Sequence, residues 1–450
     1  MRKSFKISLL IILFISAFLL RAILSSKINQ GDILVINEWS RNIYEKGLEG
    51  SYFREGWIYS SPTQPPLMMM AYWVSRWLYE NKYVLSALHN VIRMPPTFVL
   101  LWVHENGPFF SVKLWGILAD LFAAFIAYKL INKILRKPKI AVWAAILVLF
   151  NPVAIFESTI WGQTDMFASL FALLSFLVFN KRLGKLFSPL LFTVGISLKP
   201  TILVLFPFYL VFVLREIILS SPKERKIASI MFIFGLLLSI GLTILSFVPF
   251  WDQSKPFFEF LRTVVTRRII PSAKGIIRVA TSAFNFYTIF FNVEKTTVGF
   301  KIGIISLGQL GTFMFILINL LGLGFLFRKK EKNTEFPMLL FSSYFVSEGT
   351  FLFNIGMAER YFFPAFLFIY LLLFLIKDIK IKILICFQFV LWFLNLYLTF
   401  FMRDISIIDK FLRENNHLGT RVLSLMNVLV FVYISLVLLR RMKNVRLLSF

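Results

Sequence analysis

The sequence predicts an all-α polytopic membrane protein, and three observations support that class. Of its 450 residues, 58% are hydrophobic, and the mean hydropathy is +0.76. Only 16% are charged, whereas about a quarter are charged in a typical soluble domain. Apolar runs near the ~20 residues that cross a bilayer recur along the whole chain. These observations exclude a separate soluble catalytic domain.

Hydropathy indicates about twelve membrane spans in one domain that covers residues 1–450. The first 24 residues have the charge and hydropathy of a signal peptide, but no small-residue cleavage site follows them, so we interpret them as the first span. The predicted spans are 7–24, 110–130, 140–157, 165–180, 188–198, 200–214, 227–249, 302–327, 336–354, 361–376, 383–402 and 421–439.

The segment 188–214 allows two interpretations, one tilted helix or two short helices in a hairpin. Lys199 and Pro200 lie at its middle, and basic clusters flank both of its ends. A single span would place the basic cluster at 223–226 on the opposite side of the membrane from the others. We therefore expect a broken hairpin, whose irregular backbone is tolerated at membrane depth only against protein or a wet cavity.

The formal net charge of +26 does not indicate nucleic-acid binding, because the basic residues fall in short clusters between apolar runs. Such clusters are typical of cytoplasmic loops. Placing all of them in the cytoplasm gives a consistent topology with both termini inside. Most acidic residues then lie on the extracytoplasmic side.

Two long segments, 25–109 and 250–301, lie on the extracytoplasmic side in this topology, and 403–420 forms a shorter third one. Aromatic and charged residues mix at Leu67–Tyr79 and Phe257–Ile270. That mixture favours helices lying in the membrane interface. We expect the first two segments to form the working surface.

The first segment contains Asp32 just after the first span, followed by Trp39 and Tyr52. A carboxylate at this position lies at the membrane surface, where the headgroup of a lipid-linked substrate would sit. The alternative is that Asp32 caps the helix that contains Trp39. Glu38 is a second carboxylate nearby.

Three further strings place charged or polar residues at span ends. Trp161-Gly162-Gln163-Thr164-Asp165 stands at an extracytoplasmic turn, Lys199 lies at the apex of the proposed hairpin, and Glu359-Arg360-Tyr361 begins a span. Charges at or within spans are costly and usually functional. The structural alternatives are that Asp165 caps a helix, that Lys199 snorkels to an interface and that the Glu359/Arg360 pair is solvated.

Together these strings resemble the GT-C class of glycosyltransferases, closest to the bacterial and archaeal relatives of the GPI-anchor mannosyltransferases. The matching positions also include Pro65-Pro66-Leu67, Asn151-Pro152 and Pro364. The relatives commonly have histidine where Ala358 stands and often an aromatic residue before Pro65.

The resemblance implies transfer of a sugar, with mannose a candidate, from a polyprenyl-phosphate donor to a lipid, glycan or protein acceptor. Transfer would invert the anomeric carbon on the extracytoplasmic face of a prokaryotic plasma membrane. Asp32 would be the general base, and Lys199 and Arg360 would bind the donor phosphate. The sugar and acceptor pocket would include Trp39, Tyr52, Trp161, Gln163, Asp165, Glu359 and Tyr361.

The sequence also bears on a metal, on the orientation of Glu359 and on alternative functions. Asp32 and Asp165 could hold Mg or Mn, which prefer oxygen ligands, and Walker or Rossmann glycine-rich loops are absent. We expect Glu359 to face away from Arg360, as neighbours on a helix do, which would leave a lipid phosphate as the anionic partner of the cations. The alternative functions are a transporter or flippase for a lipid-linked sugar and a non-catalytic degenerate member.

Overall fold

A computed structural model describes residues 3–270, 277–327 and 335–443, and these form a helical bundle with two small strand pairs. The helices are α1 (Lys3–Ser25), α2 (Asp32–Glu45), α3 (Pro66–Glu80), α4 (Tyr83–Ile92), α5 (Thr97–Leu135), α6 (Pro138–Leu149), α7 (Pro152–Ile155), α8 (Asp165–Val178), α9 (Gly184–Leu198), α10 (Phe206–Ile218), α11 (Pro222–Phe247), α12 (Phe257–Val264), α13 (Phe286–Phe290), α14 (Leu307–Leu326), α15 (Glu335–Phe353), α16 (Phe363–Leu375), α17 (Ile379–Phe401) and α18 (Ser406–Lys443). The strands are β1 (Ala280–Thr281), β2 (Lys301–Ile302), β3 (Ile305–Ser306) and β4 (Met357–Ala358).

Nine helices within the described ranges are long and apolar enough to cross a membrane. Three shorter apolar helices, α8, α9 and α16, have 10–17 residues each. The chain is therefore a helical membrane protein, as its composition predicts. The number of about twelve crossings, which hydropathy indicated, stays a prediction.

Two helices extend well beyond the spans that hydropathy indicated. α5 begins at Thr97, inside the segment 25–109, and α18 begins at Ser406, inside the segment 403–420. In α5 the polar residues 104–108 separate the apolar start of the helix from the predicted span, and the first turns of α18 are largely polar. A helix keeps its own backbone hydrogen bonds through such polar stretches. The segments at Leu67–Tyr79 and Phe257–Ile270 are largely helical, in α3 and in α12 with the π-helical turn after it.

The segment 188–214 forms the predicted broken hairpin. α9 ends at Leu198, Lys199 has extended backbone (φ −150°, ψ 121°), and a 3₁₀ turn leads into α10. The hydroxyls of Ser188 and Tyr209 are 2.8 Å apart, and the ring of Tyr209 stacks on Phe192 at 4.1 Å. In one straight helix, residues 188 and 209 would be roughly 30 Å apart. The chain therefore turns back at Lys199.

α15 and α16 occupy the centre of the bundle. Within α15, 89% of an 18-residue stretch is buried inside the protein, and nearly every residue of α16 is buried. α16 is apolar on all faces, which is typical of a helix surrounded by protein. α15 is buried all round although it contains serines and Glu348. The turn before α16, residues 359–362, therefore lies at the end of the most enclosed part of the fold.

A short parallel strand pair connects two distant parts of the chain beside this turn. β1 pairs with β4, so that Ala280 lies opposite Met357 and Thr281 opposite Ala358. The backbone N–H of Gly356 also donates to the carbonyl of Val279 at 2.8 Å. The pairing holds the segment from 277 onward against the turn that contains Arg360.

Candidate active site

A cavity of about 690 Å³ lies where α2, the Lys199 turn and the turn before α16 meet. We call it the site cavity. Its walls come from parts of the chain that are far apart in sequence, including both predicted cations. The residues that line it are Asp32, Val35, Ile36, Trp39, Ser60, Thr63, Gln64, Gln163, Lys199, Pro200, Thr201, Val204, Val298, Asn354, Ile355, Gly356, Met357, Arg360 and Tyr361.

Asp32 is the first residue of α2 and lines the cavity with 46% of its side chain exposed. The N-cap residue is Gly31, and Asp32 makes no capping hydrogen bond, so the alternative role for Asp32 is wrong. Its Oδ2 accepts a hydrogen bond from Gln163 Nε2 at 2.7 Å and lies 3.4 Å from Arg360 Nη1. Its Oδ1 has no hydrogen-bond partner in the described part of the chain. One carboxylate oxygen is held in place and the other is available.

Gln163 connects Asp32 to Lys199. The amide Nε2 of Gln163 donates to Asp32, and its Oε1 accepts from Lys199 Nζ at 3.0 Å. Only this orientation of the amide satisfies both neighbours, because carboxylates only accept and ammonium groups only donate. Lys199 also forms an ion pair with Asp165 Oδ2, and both side chains are almost fully buried. The four side chains form one connected polar network.

The turn that positions Gln163 requires a glycine. A π-helical turn ends at Trp161, and Gly162 follows in the left-handed region with φ 75°. A Cβ at Gly162 would lie 2.6 Å from Cδ1 of Ile33, in the first turn of α2. The backbone N–H of Asp165 then donates to Glu157 Oε1 at 2.8 Å, which fixes the start of α8. The string from Trp161 to Asp165 is therefore packed directly against the start of α2.

Arg360 is surrounded by three carboxylates and one indole ring. Its Nη1 lies 2.7 Å from Glu359 Oε1, its Nε lies 4.0 Å from Asp165 Oδ2, and its guanidinium carbon lies 5.5 Å from the ring centre of Trp161. Burial lowers the pKa of Arg360, but Glu359, Asp32 and Asp165 raise it more, so its pKa lies above the ordinary value. The side chain stays cationic and is 21% exposed.

The expectation that Glu359 faces away from Arg360 is wrong. It assumed a helix at this point, but α16 begins only at Phe363, and residues 359–362 form a turn in which adjacent side chains meet. Burial raises the pKa of Glu359, while Arg360 opposes that shift. Lys199 likewise has a protein partner in Asp165. Neither cation needs a lipid phosphate for charge balance in the folded protein.

The aromatic residues of the predicted pocket take different positions. Trp39 and Tyr361 line the cavity, and Trp39 Nε1 donates to the carbonyl of Ser60 at 2.7 Å. Tyr52 is fully buried, with its hydroxyl donating to the carbonyl of Gln64 at 2.7 Å, and burial raises its pKa well above the ordinary value. Tyr52 does not line the cavity but supports the loop that does. Trp161, Asp165 and Glu359 lie behind Arg360 and Lys199, outside the lining.

Glu38 has a structural position. Both of its carboxylate oxygens accept backbone hydrogen bonds, from Ile58 at 2.5 Å and from Tyr59 at 3.1 Å. The side chain is buried and does not line the cavity. Glu38 therefore orders the loop before α3, and Asp32 is the carboxylate that the site exposes.

Several lining residues were not singled out from the sequence. Asn354, Ile355 and Gly356 form the turn between α15 and β4 and line the cavity beside Arg360. Thr201 follows the hairpin apex. Their position in the sequence could have indicated them, because each lies close to a string that was identified by its charge, at Lys199 or at Glu359-Arg360.

Asp32 and Asp165 each use one carboxylate oxygen for protein contacts in this arrangement, and a metal held by both stays a prediction. Oδ2 of Asp165 is bonded to Lys199, and Oδ2 of Asp32 accepts from Gln163 and faces Arg360. Across the described ranges, no group of three or more His, Cys, Asp or Glu side chains could hold a metal ion. The side chains themselves offer one accessible carboxylate, Asp32, and two cations, Lys199 and Arg360.

Neither a scan against protein-family models nor a search of curated proteins finds a match to this chain.

Proposed function

We propose that this protein is an inverting membrane glycosyltransferase that transfers a sugar from a polyprenyl phosphate to an acceptor hydroxyl. The observation that supports it is the meeting of Asp32, Lys199 and Arg360 around one cavity in a helical membrane protein. A half-exposed carboxylate can take a proton, and two cations can hold a phosphate. The resemblance of the surrounding strings to the GT-C class supports the same chemistry.

In the proposed step, the acceptor hydroxyl oxygen attacks the anomeric carbon of the sugar from the face opposite the phosphate. The new C–O bond forms as the bond between the anomeric carbon and the phosphate oxygen breaks. The hydroxyl proton passes to Asp32 Oδ1, whose partner oxygen is held by Gln163. The phosphate leaves with the bonding electron pair, and its developing charge is stabilised by fixed cations.

Lys199 and Arg360 are suited to different parts of that task. Arg360 presents a planar fork that can bind phosphate oxygens in pairs, whereas Lys199 presents a compact point charge. Both are held by protein carboxylates before the donor arrives, so little reorganisation is needed during the reaction. A donor phosphate would compete with Asp32 for Arg360, which would free the base.

The cavity would open on the extracytoplasmic side of a prokaryotic plasma membrane, with both termini in the cytoplasm. Trp39 and Tyr361, which line the cavity, would contact the sugar or the acceptor. The acceptor would be a lipid, a glycan or a protein. Mannose is a candidate for the transferred sugar.

The test is transfer of radiolabelled sugar from a panel of polyprenyl-phosphate sugars by the purified protein in liposomes. We expect one donor to yield labelled product, Asp32→Asn to abolish most of it and Asp404→Asn to retain it. Asp404 is a matched control because it is an exposed carboxylate bonded to Gln30 that lines neither cavity described in this chain. Donor translocation without any transfer would support a flippase and contradict the proposal.

A second experiment tests the side of the membrane. Asp32→Cys would be labelled with a membrane-impermeant thiol reagent after Cys386, the only natural cysteine, is replaced. We expect labelling from the extracytoplasmic side. Labelling only from the cytoplasm would overturn the topology and the mechanism together.

A further inference from the structure

A second cavity, of about 150 Å³, lies at the same end of the bundle as the site cavity. Its walls come from residues 278–294, 399–403 and 412–420. Gln30, two residues before Asp32, donates a hydrogen bond to Asp404 at 2.8 Å. That bond places the turn between α17 and α18 beside the start of α2.

The lining of the second cavity is cationic. Three arginines and one histidine line it, against a single glutamate. Arg413 is already paired with Glu294 at 3.1 Å and with Asp409 at 3.2 Å. The side chains of Arg278 and Arg403 are exposed and have no hydrogen-bond or ion-pair partner in the ranges that the structure describes. The cavity therefore presents two uncompensated guanidinium groups.

The backbone of this cavity is held by buried side chains. Asn395 of α17 accepts from the N–H of Phe284 at 3.0 Å and donates to the carbonyl of Ser282 at 2.7 Å. Asn427 of α18 donates to the carbonyl of Phe284 at 2.8 Å. Both asparagines are almost completely buried. Polar side chains in a membrane bundle are costly and need partners, and here they fix the wall that faces the arginines.

We propose that the second cavity binds a phosphate group, carried by a phospholipid headgroup or free in solution. Guanidinium groups bind phosphate through several parallel N–H donors, and Arg278 and Arg403 have these donors free. A phosphate has more acceptor oxygens than a carboxylate and can be shared by two arginines. The cavity has less than a quarter of the volume of the site cavity, which suits a phosphate better than a phosphate with its sugar.

The two cavities are lined by two strands that pair with each other. Ala280 and Thr281 line the second cavity, and Ala280 pairs with Met357, which lines the site cavity. Phosphate in the second cavity would thus be one strand pair away from the turn that contains Arg360. The proposal does not depend on transferase chemistry, because it concerns binding to residues that lie outside the site cavity.

The test is a titration of the full-length protein with inorganic phosphate in nanodiscs of neutral phosphatidylcholine, followed by ³¹P NMR. Saturable binding is expected in the parent and at least tenfold weaker binding in the double variant Arg278→Gln/Arg403→Gln. Arg262→Gln/Arg267→Gln is the matched control, because it removes two exposed arginines from the same part of the chain that line neither cavity. This control should bind phosphate as the parent does, and the melting temperature without phosphate should be unchanged in both.

A lipid arm distinguishes the two sources of phosphate. The protein is purified from membranes of mixed phosphatidylglycerol and phosphatidylcholine and analysed by native mass spectrometry. If the phosphate comes from a headgroup, the parent and the control should retain phosphatidylglycerol. The Arg278/Arg403 variant should lose it. Equal binding of phosphate and of lipid in both double variants overturns the proposal, as does an absence of both. Loss of binding in Lys199→Met instead would assign the phosphate to the site cavity and also overturn it.

Discussion

Among the charged side chains described in this bundle, two groups differ in their access to a cavity. Around the site cavity, Asp32 has 46% of its side chain exposed. Deeper in the bundle, Arg21 of α1 and Asp120 of α5 are fully buried, and Nη2 of Arg21 lies 3.0 Å from Oδ2 of Asp120. Arg21 also donates to the carbonyl of Leu149 at 2.6 Å, and Asp120 accepts from Ser158 at 2.7 Å. The deeper group lines neither of the two cavities.

Charge inside a membrane protein therefore does not by itself indicate a functional site. The Arg21/Asp120 pair joins α1 to α5 and to the π-helical turn that contains Ser158, and all of its bonds go to protein groups. The site network has the same kinds of bonds, but its end at Asp32 remains accessible. Access to a cavity separates the two cases, since Oδ1 of Asp120 also lacks a hydrogen-bond partner among the described residues but lines neither cavity.

The largest expected effect is that of Asp32→Asn on transfer. Asn keeps an oxygen that can accept from Gln163 but cannot take a proton, so turnover should fall by the ~10² to 10⁴ typical of a lost general base. The rate at saturating donor measures the effect, and donor binding and the melting temperature should stay close to those of the parent. Near-normal turnover would remove Asp32 from this role.

The next effect concerns stability. Asp120→Asn leaves Arg21 as a buried charge without its partner, so unfolding in detergent should be easier by about 3 to 5 kcal/mol. Transfer per folded molecule should not change. The double variant Arg21→Met/Asp120→Leu should recover most of the loss, because no buried charge remains. A double variant that folds well but has lost transfer would show that the closed pair acts in function.

A smaller effect is expected for the two cations of the site. Lys199→Met and Arg360→Gln each remove a charged hydrogen-bond donor, which corresponds to roughly 10- to 100-fold weaker donor binding, with slower transfer. Arg360→Lys keeps the charge but loses the fork and should be intermediate. Donor binding is measured per folded molecule by retention of a labelled polyprenyl-phosphate sugar.

Lys113→Met is the matched control for those cation variants. Lys113 is buried and donates to the carbonyls of Ser25 and Ile28 rather than lining the site cavity. Its loss should lower the melting temperature and leave donor binding per folded molecule intact. Equal loss of donor binding in Lys113→Met and in Lys199→Met would identify Lys199 as a structural anchor.

Much of the membrane fold could be predicted because a membrane span needs an apolar run of about 20 residues, and hydropathy detects such runs directly. The hairpin at Lys199 was predictable from charge, since a single span would have moved a basic cluster across the membrane. The extra turns of α5 were not, because the polar residues 104–108 interrupt its apolar sequence. Those of α18 were not, because they are largely polar and give no hydropathy signal. The residues 271–276 and 328–334, which fall in or beside predicted segments, lie outside the described residues.

The candidate site was predicted as separate strings, and the contacts between them were not. Gln163 lies 131 positions from Asp32 and 36 positions from Lys199 in the sequence. Its bonds to both depend on side-chain geometry that the sequence does not give. The pairing of Glu359 with Arg360 was missed because the helix was assumed to begin too early. Spacing along a helix predicts which side chains share a face, but it does not apply to a turn.

The smallest effect is expected at Glu348, and it tests the access criterion most directly. Glu348 is buried in α15, where it accepts from Trp392 Nε1 at 3.1 Å and from Gln388 Nε2 at 3.2 Å. Gln388 also donates to Asn427, so the network reaches the wall of the second cavity, but Glu348 lines neither cavity. Glu348→Gln keeps an oxygen for Trp392, so stability should change by about 1 kcal/mol or less, and transfer should not change. Thermal unfolding measures the change in stability, and the transfer rate across pH measures the change in activity. A tenfold loss of transfer, or a shifted pH profile in a stable variant, would show that an acid closed off from both cavities still takes part in function.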